Sequence, residues 1–336
     1  RVRPKPAGQV RNIDVSGAAD IWARGDLLMR HALKRCLFLC IPVAIGCELT
    51  EVTVVDVEDV VVAEVYVVVA EDSNDNQVKA FLHGTGAGGV PSARTFEDAV
   101  VTLTRSDGLA VDFTQGTNTD CVETGPKGAQ GTCFLGNPAL TSNLGPGDEL
   151  EVSIAFGNGG TLSGATNVPG DFQLNGIGAS CRIEPDTLSP LSWSRSQGAW
   201  AYINETVISG LRYALAPEGI DADEEPLYLL GLSISAADTT VVFPSEFGIF
   251  QRGDLSSELT VRLQGGLPAG TDADVSIGAA DRNLVNWLRG GNFNPSGGVR
   301  ISSLAGDGLG VFGATVVREF QVISAGQGST PLCPLA

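Results

Sequence analysis

Valine-rich runs separated by turn-forming residues most restrict how this chain can fold. Residues 52–57 and 60–70 are dominated by Val, and a side chain branched at Cβ favours extended backbone. Asp-Ser-Asn-Asp-Asn at 72–76 then interrupts the pattern as a loop. The sequence therefore predicts early β-strands that end at this loop.

Two hairpins are predicted further along the chain. Residues 99–105 and 109–113 flank Ser-Asp-Gly, and residues 149–156 and 161–167 flank Gly-Asn-Gly-Gly. Glycine supplies the positive φ that tight turns between paired strands need. Each pair of segments is therefore predicted to form adjacent antiparallel strands.

The second half continues the β pattern and adds one helix. Further strands are predicted at 228–235, 239–243, 258–263 and 275–277. A short helix is predicted near 281–289, because Leu284, Trp287 and Leu288 share one helical face. Asp281 can cap the start of this helix, and two glycines end it.

Together these segments predict an all-β fold. Short strands at this spacing are typical of antiparallel β-sandwiches, here two consecutive domains of immunoglobulin or transthyretin type. The domains are placed at 48–170 and 171–325, with Val-Pro-Gly at 168–170 as the seam and 326–336 as a tail.

The segment that begins at Met29 is typical of a secretory signal. Basic residues follow Met29, and an apolar run leads to Gly46 and Cys47. The apolar run is too short to span a bilayer. Residues 29–46 are interpreted as a lipoprotein signal peptide with lipidation at Cys47, and residues 1–28 as a non-native upstream segment. The alternatives are an ordinary signal peptide with an incidental cysteine, or a buried core helix.

The charge of the chain restricts its partners. The 336 residues carry a formal charge of −18 with a pI near 4.4. Nucleic acid is not predicted as a partner, because phosphate binding requires clustered Lys and Arg. Without residues 1–46 the charge becomes −23. We therefore expect anionic lipids to repel the folded part of the protein, which the N-terminal lipid anchor attaches to the membrane.

Four cysteines follow Cys47, at positions 121, 133, 181 and 333. An even set in a secreted chain predicts disulfides, and four cysteines allow three pairings. Cys121 and Cys133 bracket a short Gly-rich loop and are the favoured pair, which leaves Cys181 to hold the C-terminal tail through Cys333. Zinc is the rival interpretation, but neither a Cys-x-x-Cys pair nor supporting histidines are present.

Four segments in order resemble an uncharacterised family of bacterial surface lipoproteins, a domain of unknown function found near TonB-dependent outer-membrane receptors. They are the Val-rich strand after an acidic spacer at 60–70, the hairpin around 99–108, the hairpin from 144 to 169, and Leu-Gly-Val-Phe-Gly-Ala at 309–314. The Gly-rich composition indicates a distant member. The resemblance implies a non-enzymatic envelope protein, exposed to the periplasm or the cell surface, that helps a receptor to bind or import something.

The inventory of reactive residues agrees with a non-catalytic protein, and no catalytic residue is predicted. His83 is the one histidine after Cys47, and neither Gly-x-Ser-x-Gly nor His-Glu-x-x-His is present to support catalysis. His83 is expected to be a solvated loop residue. Residues 84–89 match Gly-x-Gly-x-x-Gly, but they lie between β segments and open no helix, so nucleotide binding is not expected.

Carboxylate side chains are abundant in the sequence. Candidate ligands for Ca²⁺ lie in two acidic loops, Asp72 and Asp75 in one and Asp221 and Asp223 in the other. Neither loop has EF-hand spacing, and solvated acidic loops are the favoured interpretation. No other cofactor is predicted.

Three functions stay open, and each predicts a different feature. A binding or accessory lipoprotein predicts a groove or loop rim without convergent catalytic acids. A secreted carbohydrate-active hydrolase predicts a cleft with paired carboxylates flanked by Trp, for which Trp200 and Trp287 are the candidates. A structural subunit that assembles by strand addition predicts that the strand at 60–70 is an unpaired edge.

Overall fold

The computed structural model describes residues 59–86, 92–121, 130–222, 225–246, 256–290 and 300–334. The predicted leader, Cys47 and the strand at 52–57 lie outside these residues. The described strands are β1 Val61–Val69, β2 Gln77–Gly84, β3 Val100–Arg105, β4 Ala110–Gln115, β5 Gly131–Gly136, β6 Glu149–Ala155, β7 Thr161–Asn167, β8 Ser180–Ile183, β9 Ser189–Ser192, β10 Ala201–Ser209, β11 Leu227–Leu232, β12 Thr240–Phe243, β13 Asp272–Ala280, β14 Ala305–Gly306 and β15 Leu309–Ser324. The described helices are α1 Pro138–Thr141, α2 Leu211–Leu215, α3 Ser257–Gln264 and α4 Arg282–Gly290.

The all-β prediction is confirmed, and both predicted hairpins form. In the first hairpin β3 pairs with β4, with Leu103 opposite Val111. In the second hairpin β6 pairs with β7, with Val152 opposite Gly164. Both pairings are antiparallel, as the turn sequences indicate.

The valine-rich strand β1 is a central strand of the sheet. It pairs with β2 on one side and β15 on the other. Val65 and Val67 lie in the main core, while Val62 packs with Trp287 and Val311 on the opposite face. Burial on both faces explains why this strand lacks a regular polar alternation.

The pairing is not antiparallel throughout, which corrects the sequence-based prediction. β15 lies parallel to β1 and also parallel to β8. Parallel neighbours require a long connection, and here residues 70–308 lie between β1 and β15. Local hairpin signals do not report such a pairing.

One path of hydrogen-bonded strands runs β11-β10-β13-β15-β1-β2-β5-β4-β3-β6-β7-β14, and β9 pairs with β12 in a small second sheet. The described residues belong to a single compact unit. One apolar core holds side chains from both sides of residue 170, including Leu150 and Phe312. The division into sandwich domains at 48–170 and 171–325 stays a prediction. The apolar core is shared by residues from both sides of that boundary.

The predicted helix near 281–289 is confirmed as α4, while the strand predicted at 258–263 is wrong. That segment is helix α3. Ser256 caps its N-terminus by accepting a hydrogen bond from Leu259 N at 3.2 Å. Leu259 and Leu263 are its buried residues, and a spacing of four places both on one helical face. Among the described residues, no helix is both long and apolar enough to cross a membrane.

Gly310 permits the close approach of β15 to β1. It lies opposite Ala63 with φ 153°, and a Cβ at this position would overlap the carbonyl oxygen of Ala63. We expect Gly310→Ala to lower the free energy of unfolding by about 1–3 kcal/mol, because two backbones must separate to admit the methyl group. Urea unfolding measures the loss.

Gly145→Ala is the matched control for this substitution. No atom lies within 4 Å of a Cβ built at Gly145, so the change should stay within about 0.5 kcal/mol. Equal unfolding curves for Gly310→Ala and Gly145→Ala would contradict the close approach of β15 to β1.

Candidate functional site

An open cleft lies where the chain enters β1. Its volume is ≈ 560 Å³. Four carboxylates and one guanidinium contribute to its lining, which therefore carries net negative charge. The lining residues are Asp59, Val60, Val61, Arg94, Thr95, Phe96, Glu97, Asp98, Ala99, Phe156, Gly157, Asn158, Gly160 and Asp307.

Asp59 organises one wall of the cleft. Its carboxylate accepts hydrogen bonds from Ser92 Oγ at 2.7 Å and Gly86 N at 2.9 Å. The Ser92 hydrogen bond is the main reason that the pKa of Asp59 is lowered. Arg94 Nη1 donates to the Asp59 carbonyl oxygen at 3.0 Å. This wall is an ionised carboxylate held by neutral donors, with a cation beside it.

Aromatic side chains and a second held carboxylate complete the cleft. The rings of Phe96 and Phe156 lie 5.8 Å apart, and the Arg94 guanidinium lies 5.5 Å from the centre of the Phe96 ring. Asp307 accepts a hydrogen bond from Thr161 N at 2.8 Å. Two of the cleft carboxylates, Asp59 and Asp307, therefore hold neighbouring backbone in place, at Gly86 and at the start of β7.

A second, buried cluster lies on the face of the sheet that α4 covers. Glu64 of β1 is 3% exposed. Its Oε2 accepts a hydrogen bond from Tyr66 at 3.3 Å, and its Oε1 lies 3.5 Å from Arg300 Nη1. The Arg300 guanidinium lies over the ring of Trp287, 4.7 Å from its centre. The cluster thus combines one carboxylate, two aromatic side chains and a guanidinium.

The Tyr66 hydroxyl is a hydrogen-bond donor in this cluster. Burial, followed by the charge of Glu64, raises the pKa of Tyr66 well above its ordinary value of 10.0. The Tyr66 side chain also packs against Trp287 of α4. Tyr66 therefore stays protonated and connects α4 to the buried carboxylate.

The prediction that His83 is a solvated loop residue is wrong. His83 lies in β2, is 5% exposed and stacks on Phe81 with ring centres 5.3 Å apart. Its Nε2 faces Glu64 Oε1 at 3.9 Å and has no hydrogen-bond partner among the described residues. The glycines that follow His83 indicated a loop, but the register with β1 places it inside the sheet.

Both predicted disulfides form. Cys121 is bonded to Cys133, and Cys181 is bonded to Cys333. All four cysteines are at least 97% buried. The second bridge holds the predicted tail, where Cys333 N donates to Arg182 O at 2.9 Å.

Calcium binding by the two acidic loops stays a prediction. Asp72 accepts hydrogen bonds from the backbone and side-chain nitrogens of Asn74, so it closes a local turn that includes Asp75. Asp221 is exposed, and Asp223 lies outside the described residues. Within the described ranges, no group of three or more His, Cys, Asp or Glu side chains could hold a metal ion.

The two tryptophans named for sugar stacking lie in different surroundings. Trp200 is 46% exposed with the Arg282 guanidinium 5.4 Å from its ring centre, while Trp287 is 6% exposed. Neither residue lines the cleft. The described cleft therefore lacks the flanking Trp that the hydrolase alternative predicts.

Sequence reasoning did not identify Glu64, Tyr66 or Arg300. A signal for two of them was present, because Glu64 and Tyr66 are polar residues two positions apart in a strand otherwise made of Val and Ala. Residues at this spacing lie on one face of a strand. No local pattern connects them to Arg300, which is 236 residues from Glu64.

No protein-family model matches the chain. No curated protein matches its sequence either. Its function is therefore inferred from the residues themselves.

Proposed function

We propose that this protein is a lipid-anchored protein of the bacterial cell envelope that acts as a non-catalytic binding or accessory subunit. The two disulfides carry the proposal, because they use every cysteine that follows Cys47. Disulfides persist in oxidising compartments and are rare in the cytosol. This agrees with the signal-like segment that ends at Cys47.

The acidic cleft is the proposed binding surface. Its carboxylates and the neighbouring rings of Phe96 and Phe156 suit a partner that presents basic and apolar groups. Asp59 and Asp307 accept hydrogen bonds from backbone amides, which favours a fixed recognition surface over proton transfer. A TonB-dependent outer-membrane receptor is the proposed partner, in line with the family resemblance.

The hydrolase alternative is supported only by the number of acids in the cleft, and strand addition through β1 is contradicted. Both edges of β1 are paired, with β2 and β15. A strand paired on both sides presents no free backbone groups to a neighbour. A structural subunit would therefore need a different edge.

Intact mass of the membrane-extracted protein tests the proposal. We expect a mass equal to residues 47–336 plus a diacylglyceryl lipid, because lipidation at Cys47 accompanies removal of the signal. Reduction should add four hydrogen atoms, two for each disulfide. Cys47→Ser is the matched control and should yield no lipidated product. An unlipidated chain that retains residues 1–46 would overturn the proposed anchor and compartment.

A further inference from the structure

We propose that the buried cluster of Glu64, His83, Tyr66 and Trp287 recognises an organic cation, namely a guanidinium or primary ammonium group. Arg300 of the same chain lies at this cluster as an internal stand-in. The inference concerns residues outside the acidic cleft and does not depend on the lipid anchor, so the two proposals fail separately.

His83 Nε2 is buried without a hydrogen-bond partner among the described residues. Its Nδ1 lies 3.1 Å from the carbonyl oxygen of Gly84. A carbonyl oxygen only accepts hydrogen bonds, so we assign the hydrogen of the neutral ring to Nδ1. Nε2 is then an acceptor, and it faces a second acceptor, Glu64 Oε1, at 3.9 Å.

Two buried acceptors that face each other need a donor between them. Buried polar groups are almost always hydrogen-bonded, and leaving one unsatisfied is costly. Guanidinium and ammonium groups carry several N–H donors and a positive charge. Such a group can donate to both Nε2 and Oε1 while its charge neutralises the Glu64 carboxylate.

The aromatic wall supports the same class of ligand. Trp287 is the ring type that attracts cations most strongly, and it already has the Arg300 guanidinium 4.7 Å from its centre. Arg300 shows that this position accepts a planar cation. A buried carboxylate opposite an indole face is the arrangement expected for cation recognition.

Arg300 is suited to move away from Glu64. Its side chain is 40% exposed, whereas that of Glu64 is 3% exposed. Its Nη1 is 3.5 Å from Glu64 Oε1, at the outer limit of a hydrogen bond. An external cation that also satisfies His83 Nε2 can therefore compete with Arg300 for Glu64.

Isothermal titration calorimetry with ethylguanidinium tests the inference on the full chain. We expect weak binding to the wild type and at least about tenfold tighter binding to Arg300→Ala, because the internal competitor is gone. Arg282→Ala is the matched control, since Arg282 stacks on the exposed Trp200. That variant should bind as the wild type does.

Two further measurements identify the source of the affinity. Ethylurea has nearly the shape of ethylguanidinium without the charge, and it should not bind to any variant. Glu64→Gln in the Arg300→Ala background should abolish binding of ethylguanidinium. The ethylurea comparison needs no substitution at Glu64, so the test stands even if that variant fails to fold.

Three results would overturn the inference. The first is equal binding of ethylurea and ethylguanidinium. The second is the absence of binding by both the wild type and Arg300→Ala. The third is binding by Arg300→Ala alone, which would make Arg300 a permanent structural partner of Glu64.

Discussion

Replacing both Cys181 and Cys333 by Ala is expected to lower the free energy of unfolding by up to about 5 kcal/mol. The same replacement of Cys121 and Cys133 is expected to cost about 3 kcal/mol at most. Disulfides that close longer loops remove more entropy from the unfolded chain. The sequence separations here are 152 and 12 residues, so the two pairs test this dependence within one fold.

The long-range bridge also fixes local structure. Cys181 lies in β8, which pairs with β15, and residues 331–333 run beside β8. Arg182 N donates to Pro331 O at 2.8 Å, and Cys333 N donates to Arg182 O at 2.9 Å. Without the disulfide, these backbone hydrogen bonds must hold the end of the described chain.

Urea unfolding of the two double variants gives the comparison. Replacing both members of a pair leaves no unpaired thiol from that pair that could form a new bridge. Hydrogen exchange should show increased opening at the amides of residues 332 and 333 only in the Cys181→Ala/Cys333→Ala variant. Equal losses of stability in the two variants would show that loop entropy does not control the contribution of these bridges.

The strands were predictable because their signals are local. The hairpins β3–β4 and β6–β7 have their turns and both strands within about twenty residues. The disulfide pairing was predictable for a related reason, since a short loop between Cys121 and Cys133 leaves only one other pair. Such features depend on neighbouring residues, which a single sequence displays directly.

The central pairing of the sheet was not predictable in the same way. β1 and β15 pair in parallel although residues 70–308 separate them in the sequence. This pairing decides which residues lie opposite each other. Helix α3 was missed for a different reason, because a segment rich in Leu, Thr and Val suits a strand until Ser256 is recognised as its cap.

The buried cluster around Glu64 could not be predicted from local sequence either. Glu64 and His83 meet because β1 pairs with β2, and Trp287 packs beside Tyr66 because α4 lies on that face. Arg300 then joins from the segment before β15. Each polar residue was visible in the sequence, but their meeting depends on strand register and long-range packing.

Asp281→Ala is expected to lower the free energy of unfolding by about 3–5 kcal/mol, because it removes one acceptor shared by four donors. Oδ1 accepts from Leu284 N at 3.0 Å and Ala314 N at 3.1 Å. Oδ2 accepts from Asn283 N at 3.1 Å and Thr166 Oγ1 at 2.5 Å. The substitution would separate the start of α4 from both β7 and β15.

Thr166→Val is the matched control for this site, because it removes a single donor and keeps the carboxylate. We expect it to cost about 1 kcal/mol. Urea unfolding of the two variants measures the difference. Losses of similar size would show that the backbone hydrogen bonds of Asp281 add little, and that α4 is held mainly by its apolar face.

The pH dependence of stability provides an independent test of the same carboxylate. Burial is the main reason that the pKa of Asp281 is raised above its ordinary value of 3.8. The folded state therefore binds this proton more readily than the unfolded state does. Its contribution to stability is fully present below about pH 3.8 and declines as pH rises through the folded-state pKa.

Asp281→Asn isolates this contribution from that of the other carboxylates. The amide cannot ionise, so the stability of the wild type relative to Asp281→Asn should fall as pH rises through that window. Urea unfolding at matched pH values measures the difference. A difference that stays constant with pH would mean that the hydrogen bonds from Thr166 and the three backbone amides fully offset the cost of burying the charge.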